Sequence, residues 1–236
     1  MNAQDVIKEI EKMGNESYKR TLLKHGAKEP FYGVKIEDLK KIQKKIKQNH
    51  QEIALELFSS GIGDAMYLAA LMADGSKMSK KELQDWVKKA SGQLISEYSV
   101  PWVASENESG LELALQWIDS PKENIATSGW CTLISVASTW PDEKLDIPLF
   151  EKLLERVEKE IEKAPNRVRY CMNSFVIAAG SFIVDLNKKA IATGKKIGNV
   201  EVDMGGTSCK VPFAPDYIKK VVDKGYLGRK KKTAKC

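Results

Sequence analysis

The chain has 236 residues, 42% of them apolar and 30% charged, which supplies a sizeable core and excludes a disordered chain. No run of 18 uncharged apolar residues exists to span a bilayer, and the first residues, MNAQDVIKEIEKMG, mix acids and bases with no apolar stretch, so a cytoplasmic protein is expected. Four cysteines at 131, 171, 209 and 236 and two histidines at 25 and 50 lack metal-ligand spacing, so no metal, cofactor or disulfide framework is expected.

In chain order the dominant period is 3.6. Ile36, Leu39, Ile42 and Ile46 stripe one helix, whose other faces carry Lys40, Lys41, Lys44, Lys45 and Lys47. Ser79 with Glu82, and Ser120 with Glu123 around Pro121, have the spacing of capping boxes, and Pro141 stops the helix that the second of these opens. Pro148 opens a helix striped by Phe150, Leu153, Leu154, Val157 and Ile161, with Glu155 and Lys159 spaced to pair on its outer face. Asn166 is a suitable N-cap for a long helix striped by Val168, Met172, Phe175, Ala179, Phe182 and Leu186.

About ten helices are expected before residue 198, paired into hairpins that start near residues 3, 36, 62, 100 and 148. Each pair has one apolar face to bury against the next, so the expected fold is an all-α stack of helix pairs, with a closed bundle as the alternative. Residues 199–227 break the pattern: Val200, Val202 and Met204 alternate up to Gly205–Gly206, then Thr207, Cys209 and Val211 alternate onward. This predicts a small β-hairpin with Cys209 packed as an apolar residue, followed by a short helix from Asp216 to Tyr226.

Residues 228–236 form a basic tail holding Arg229, Lys230, Lys231, Lys232 and Lys235. The net charge is +6, and all but +1 of it lies in this tail. Either a solvated tail or a polyanion-binding arm fits that composition.

The chain has no phosphate-cradling G-x-x-x-x-G-K-[ST] loop, no strand followed by G-x-G-x-x-G and no G-x-S-x-G elbow. FYGVKIEDLKKIQKKI at 31–46 (above all Gly33, Val34, Lys35, Asp38, Leu39, Lys40, Lys41 and Ile42), with the helix pairs that follow, resembles the bacterial AlkD-like DNA-alkylation-repair proteins built of HEAT-like repeats. The resemblance reaches to about residue 190. It implies a HEAT-like α-solenoid whose concave basic face holds duplex DNA by its phosphates, and DNA N-glycosylase activity toward cationic alkylated purines. It implies a catalytic tryptophan and, four residues on, an aspartate, together with an arginine and a second tryptophan on later helices.

An ungapped comparison puts Pro101 and Ser105 at the first two positions, and a shift of one residue recovers Trp102 and Glu106. The arginine position falls near Gly129 and the second tryptophan at Phe175. Trp102 and Glu106 are therefore the candidate catalytic pair, an indole for a cationic base and a carboxylate for a developing oxocarbenium sugar. An aromatic anchor and a first-turn carboxylate is the other reading of the same two residues.

Candidate phosphate contacts are Lys40, Lys41 and Lys44, Arg167 and Arg169 in NRVRY, and Arg229, Lys230 and Lys231. Arg167 and Arg169 have an alternative role, pairing with the acidic face of the preceding helix. The rival function is a non-catalytic scaffold that holds a protein or peptide partner. A third is a redox sensor using Cys171 or Cys209.

Overall fold

Asn2 opens the first helix with a reciprocal cap, its side chain accepting from Asp5 N while the Asp5 carboxylate accepts from Asn2 N. The computed structural model describes residues 1–236, and fourteen helices follow one another with no strand between them. They are α1 (Ala3–Lys12), α2 (Glu16–Lys24), α3 (Ile36–Lys45), α4 (His50–Ser59), α5 (Gly63–Met72), α6 (Lys80–Lys89) and α7 (Gly92–Leu94). Then come α8 (Val100–Ser105), α9 (Gly110–Trp117), α10 (Glu123–Thr139), α11 (Ile147–Glu160), α12 (Asn166–Phe182), α13 (Asn187–Ile197) and α14 (Ala214–Asp223).

The expected stack of helix pairs is present. Helix α4 packs on α5, α6 on α8, α9 on α10 and α11 on α12, while α5, α8, α10 and α12 form an inner row. The two pairs expected to begin near 62 and 100 are instead completed there, because His50–Ser59 and Lys80–Lys89 are separate short helices that precede them. Two apolar cores run along the stack, one from α1 to α9 and one from α9 to α14.

Ser79 and Glu82 form the expected capping box of α6. Ser79→Ala should cost about 1 kcal/mol, read as a lower urea midpoint with an unchanged m value. The Ser120–Glu123 box does not form. Ser120 Oγ accepts from Lys122 N, and Glu123 Oε1 reaches the neighbouring helix instead, accepting from Arg167 N at 2.8 Å. That carboxylate caps α12, whose N-cap residue is Pro165 and not Asn166. On α11, Glu155 pairs with Lys189 of α13 rather than with Lys159.

Between α7 and α8 the helix widens into a π turn at Ile95–Ser99. Pro101 lies one residue into α8; it has no N–H to donate and its ring would crowd the carbonyl four residues earlier, which the wider turn accommodates.

The β-hairpin expected within 199–213 is absent. Gly205–Gly206 does make a turn, but the flanking backbone bonds to side chains of α12 rather than to itself. Asn166 Nδ2 donates to Asp203 O at 2.9 Å, Asp203 N donates to Asn166 Oδ1 at 2.7 Å, and Asn173 Nδ2 donates to Pro212 O at 2.9 Å. With Asp203 and Pro212 held on α12, the two arms do not pair with each other. Cys209 is exposed, not packed. Gly205, at φ +66, touches the carbonyl of Lys24 at the end of α2, where a Cβ would stand 2.6 Å from the oxygen. The last helix, α14, begins at Ala214 and ends at Asp223, close to expectation.

Candidate nucleic-acid interface

The inner helices end on one rim, and helix C-termini leave carbonyls without intrahelical partners. The basic tail runs along this rim and caps those carbonyls. Gly228 N donates to Ser181 O at the end of α12, and Lys231 N donates to Ser138 O at the end of α10, at 2.9 and 2.8 Å. Lys230 Nζ donates to Ala137 O at 2.9 Å, and Lys235 Nζ donates to Ala73 O just past α5. Cations at helix C-termini also meet the negative end of the helix dipole.

Two carboxylates fix the same lysines. Lys230 pairs with Asp142 and Lys235 with Glu106, each at 2.8 Å. Ala234 packs against the first core, and Cys236 Sγ lies 3.1 Å from Tyr67 Oη. The tail is thus a strap held across the trough, neither a solvated appendage nor a free arm. The sequence signalled its charge but not its path, since the carbonyls that it caps come from three distant helices.

Beneath the strap lies a cavity of about 400 Å³, floored by Tyr98, Trp102, Cys131, Tyr170 and Cys171 among others. A second cleft of about 500 Å³ opens beside it, between Asp74, Glu106, Trp140 and the strap. The only cations lining either space are Lys231, Lys232 and Lys235, all from the strap, whereas the helices contribute Asp74, Glu97 and Glu106.

Trp102 and Glu106 occupy successive turns of α8 and its C-cap, as their spacing implied. Trp102 is 6% exposed and lies edge-on between Tyr67 and Tyr98, at centroid distances of 5.4 and 6.0 Å. Glu106 Oε2 accepts from Gly75 N at 3.0 Å and from Lys235 Nζ. Both sites on this carboxylate oxygen are taken by the protein itself. Phe175 is fully buried, edge-on to Trp130 and stacked on Phe150. A Cβ added at Gly129 would stand 2.7 Å from Ile118 N and 2.8 Å from Ala114 O. The α9–α10 contact therefore leaves no space for an arginine at that position.

Arg167 pairs with Glu97, not with the acidic face of the helix that precedes α12. Its guanidinium grips Glu97 of the π turn in a two-point contact, Nε to Oε1 at 2.7 Å and Nη2 to Oε2 at 2.8 Å, and lies 4.3 Å over Tyr170. Burial pushes the Glu97 carboxyl up from its ordinary value, and the guanidinium pulls it back only in part. Glu97 escaped the sequence reading; Pro101, which brings the π turn with it, was the available signal.

Arg169 is half-buried, with Nε lacking a partner. Lys40, Lys41 and Lys44 lie on α3, where Lys41 pairs with Asp38, and none of the three lines the trough. Cys131 and Cys171 have their sulfurs 3.2 Å apart on α10 and α12, and burial pushes the Cys171 thiol well above its ordinary value, opposite to what a redox-reactive thiol needs. No helix is long and apolar enough to cross a membrane.

Residues 6–208 match the family of DNA alkylation repair enzymes. Lin0241, an uncharacterized protein of Listeria innocua, is 32% identical over 219 residues, which cover 90% of this chain and 93% of that one. Lmo0209, an uncharacterized protein of Listeria monocytogenes, is 31% identical with the same coverage. The fold superposes with a TM-score of 0.90, at 33% identity and over the full length of both chains, on a solved structure from a family of proteins related to the HEAT-like repeat DNA glycosylases with affinity for branched DNA structures.

Proposed function

From the premise that this chain belongs to the DNA alkylation repair enzyme family and has a HEAT-like repeat fold, we propose that it binds DNA, branched forms included, through backbone phosphates along the strapped trough, and does not excise bases. The observation that carries this reading is the row of lysines that the strap lays across the inner helices. Phosphate contacts of this kind position DNA without reading its sequence. The affinity of the superposed family for branched DNA supports the choice of ligand.

The reading without excision follows from the groups that chemistry would use. A carboxylate that stabilises an oxocarbenium sugar must face the sugar, and Glu106 is engaged by Gly75 and Lys235. The arginine position is a glycine wedged against a neighbouring backbone. Trp102 and Glu106 serve here as a core aromatic and a strap anchor.

Fluorescence anisotropy with a labelled four-way junction and a matched duplex, at about 50 and 200 mM salt, tests binding. Affinity should fall steeply as salt rises, by roughly 40-fold over this range for three phosphate contacts. A salt-independent affinity, or no binding, overturns the reading. Incubation with alkylated DNA should release no 3-methyladenine or 7-methylguanine. Release that Glu106→Ala abolishes would restore the catalytic pair.

A second reading, a scaffold for an extended basic peptide, has one observation in its favour: the trough already holds such a segment, its own tail. A lysine-rich peptide that displaced the junction and bound with higher affinity would support it.

A further inference from the structure

We infer that the strap divides its cations between two jobs, Lys230 and Lys235 pinning it to the trough and Arg229, Lys231 and Lys232 forming the phosphate-binding surface that the helices themselves lack. This rests on the DNA-binding reading and assigns the residues that carry it.

The division is visible in the partners. The Lys230 and Lys235 side chains are 19% and 16% exposed, and each bridges a carboxylate and a helix-terminal carbonyl. Arg229, Lys231 and Lys232 are exposed and have no carboxylate partner. Arg229 lies 5.3 Å over Tyr226 and Lys231 lies 5.4 Å over Phe182, contacts that orient each cation and leave its charge uncancelled.

The sign of the effect follows from what the strap covers. Without it the trough presents Asp142, Asp74 and Glu106 and no lysine or arginine in either cleft, and a polyanion would be repelled. With it, Lys230 and Lys235 neutralise two of those carboxylates while three further cations stay exposed. The strap is therefore an integral part of the binding surface. It is not a plug that DNA must expel.

Three variants test this with the labelled junction. Arg229→Gln, Lys231→Gln and Lys232→Gln combined alter only exposed groups; affinity should drop about tenfold or more, and the slope of log K against log salt should flatten by about 2–3. Lys230→Gln with Lys235→Gln should leave that slope near wild type. Deletion of 228–236 should weaken binding further than the triple variant.

Tighter binding by the deleted chain would identify the strap as a plug and overturn the inference. An unchanged slope in the triple variant would do the same. So would a slope lost equally in the double variant, which would mean that Lys230 and Lys235 leave their carboxylates for phosphates. If wild-type protein fails to bind the junction, the DNA reading itself falls; if wild type binds and the triple variant binds equally, only the strap assignment falls.

Discussion

Glu97→Ala should lower the unfolding free energy by about 3 kcal/mol, the loss typical of stripping one partner from a buried ion pair. The Glu97 side chain is 4% exposed and that of Arg167 is 13% exposed, so the guanidinium left behind would have little water to replace the carboxylate. The pair is not thereby a large net gain over two hydrated ions. Burial holds the Glu97 carboxyl above its ordinary value even with the guanidinium against it, which means that the site disfavours the charge. One half without the other is worse than either both or neither. Thermal or urea unfolding of Glu97→Ala and of Glu97→Ala with Arg167→Met distinguishes these cases: the double variant should recover part of the loss. A single variant as stable as wild type would show that Arg167 finds another partner. Because Glu97 comes from the π turn and Arg167 from the start of α12, this pair also ties the π turn to α12.

Gly129→Ala should cost about 2–3 kcal/mol, and Gly129→Arg should leave the protein unable to fold stably. Helix α10 crosses α9 so closely that a single methyl group meets Ile118 N and Ala114 O, both backbone atoms that cannot swing aside. The hydroxyls buried along α10 fit the same close crossing. Thr127, Ser128 and Thr132 donate to carbonyls four residues back, so these small polar side chains sit in the interior with their donors satisfied. The Ala variant is the informative one, since it adds a single carbon; an unfolding midpoint equal to wild type would mean that the two helices separate at low cost. Installing an arginine here to rebuild a glycosylase set is thus expected to destroy the scaffold before it restores any chemistry.

The helical stack was legible because its signal is local. Phe150 to Ile161 and Val168 to Phe182 repeat with the period of one helix face, and Pro141 and Pro148 mark where helices stop and start. The stripe expected to reach Leu186 stops at Phe182, where Ile183 turns extended and Leu186 falls in a separate 3-10 turn. The hairpin failed for the complementary reason. Val200 to Val211 has the alternation of a strand pair, but Asn166 and Asn173 of α12 claim its backbone, and a side chain some forty residues away leaves no trace in that alternation. Glu123 shows the same effect in reverse: the capping-box spacing was present, yet the carboxylate caps the next helix in space instead of its own.

The candidate site was legible in charge and not in placement. The tail's lysines were evident, whereas their seats on Ser138, Ala137, Ala73 and Glu106 depend on how far the stack curls. Arg167 stood out in the sequence as a cation at a helix start, and in the fold its guanidinium is engaged by Glu97.

The contact between Gly205 and the end of α2 has a mechanical consequence. An array of repeats that touch only their neighbours is quasi-one-dimensional, and its first or last unit can peel away without disturbing the middle. Here a loop that follows α13 rests on α2, while the terminal segment spans from α12 to α5. Fraying at the amino-terminal end would have to break the loop's seat as well, so the molecule is braced to lose its structure in one step instead of unzipping from an end.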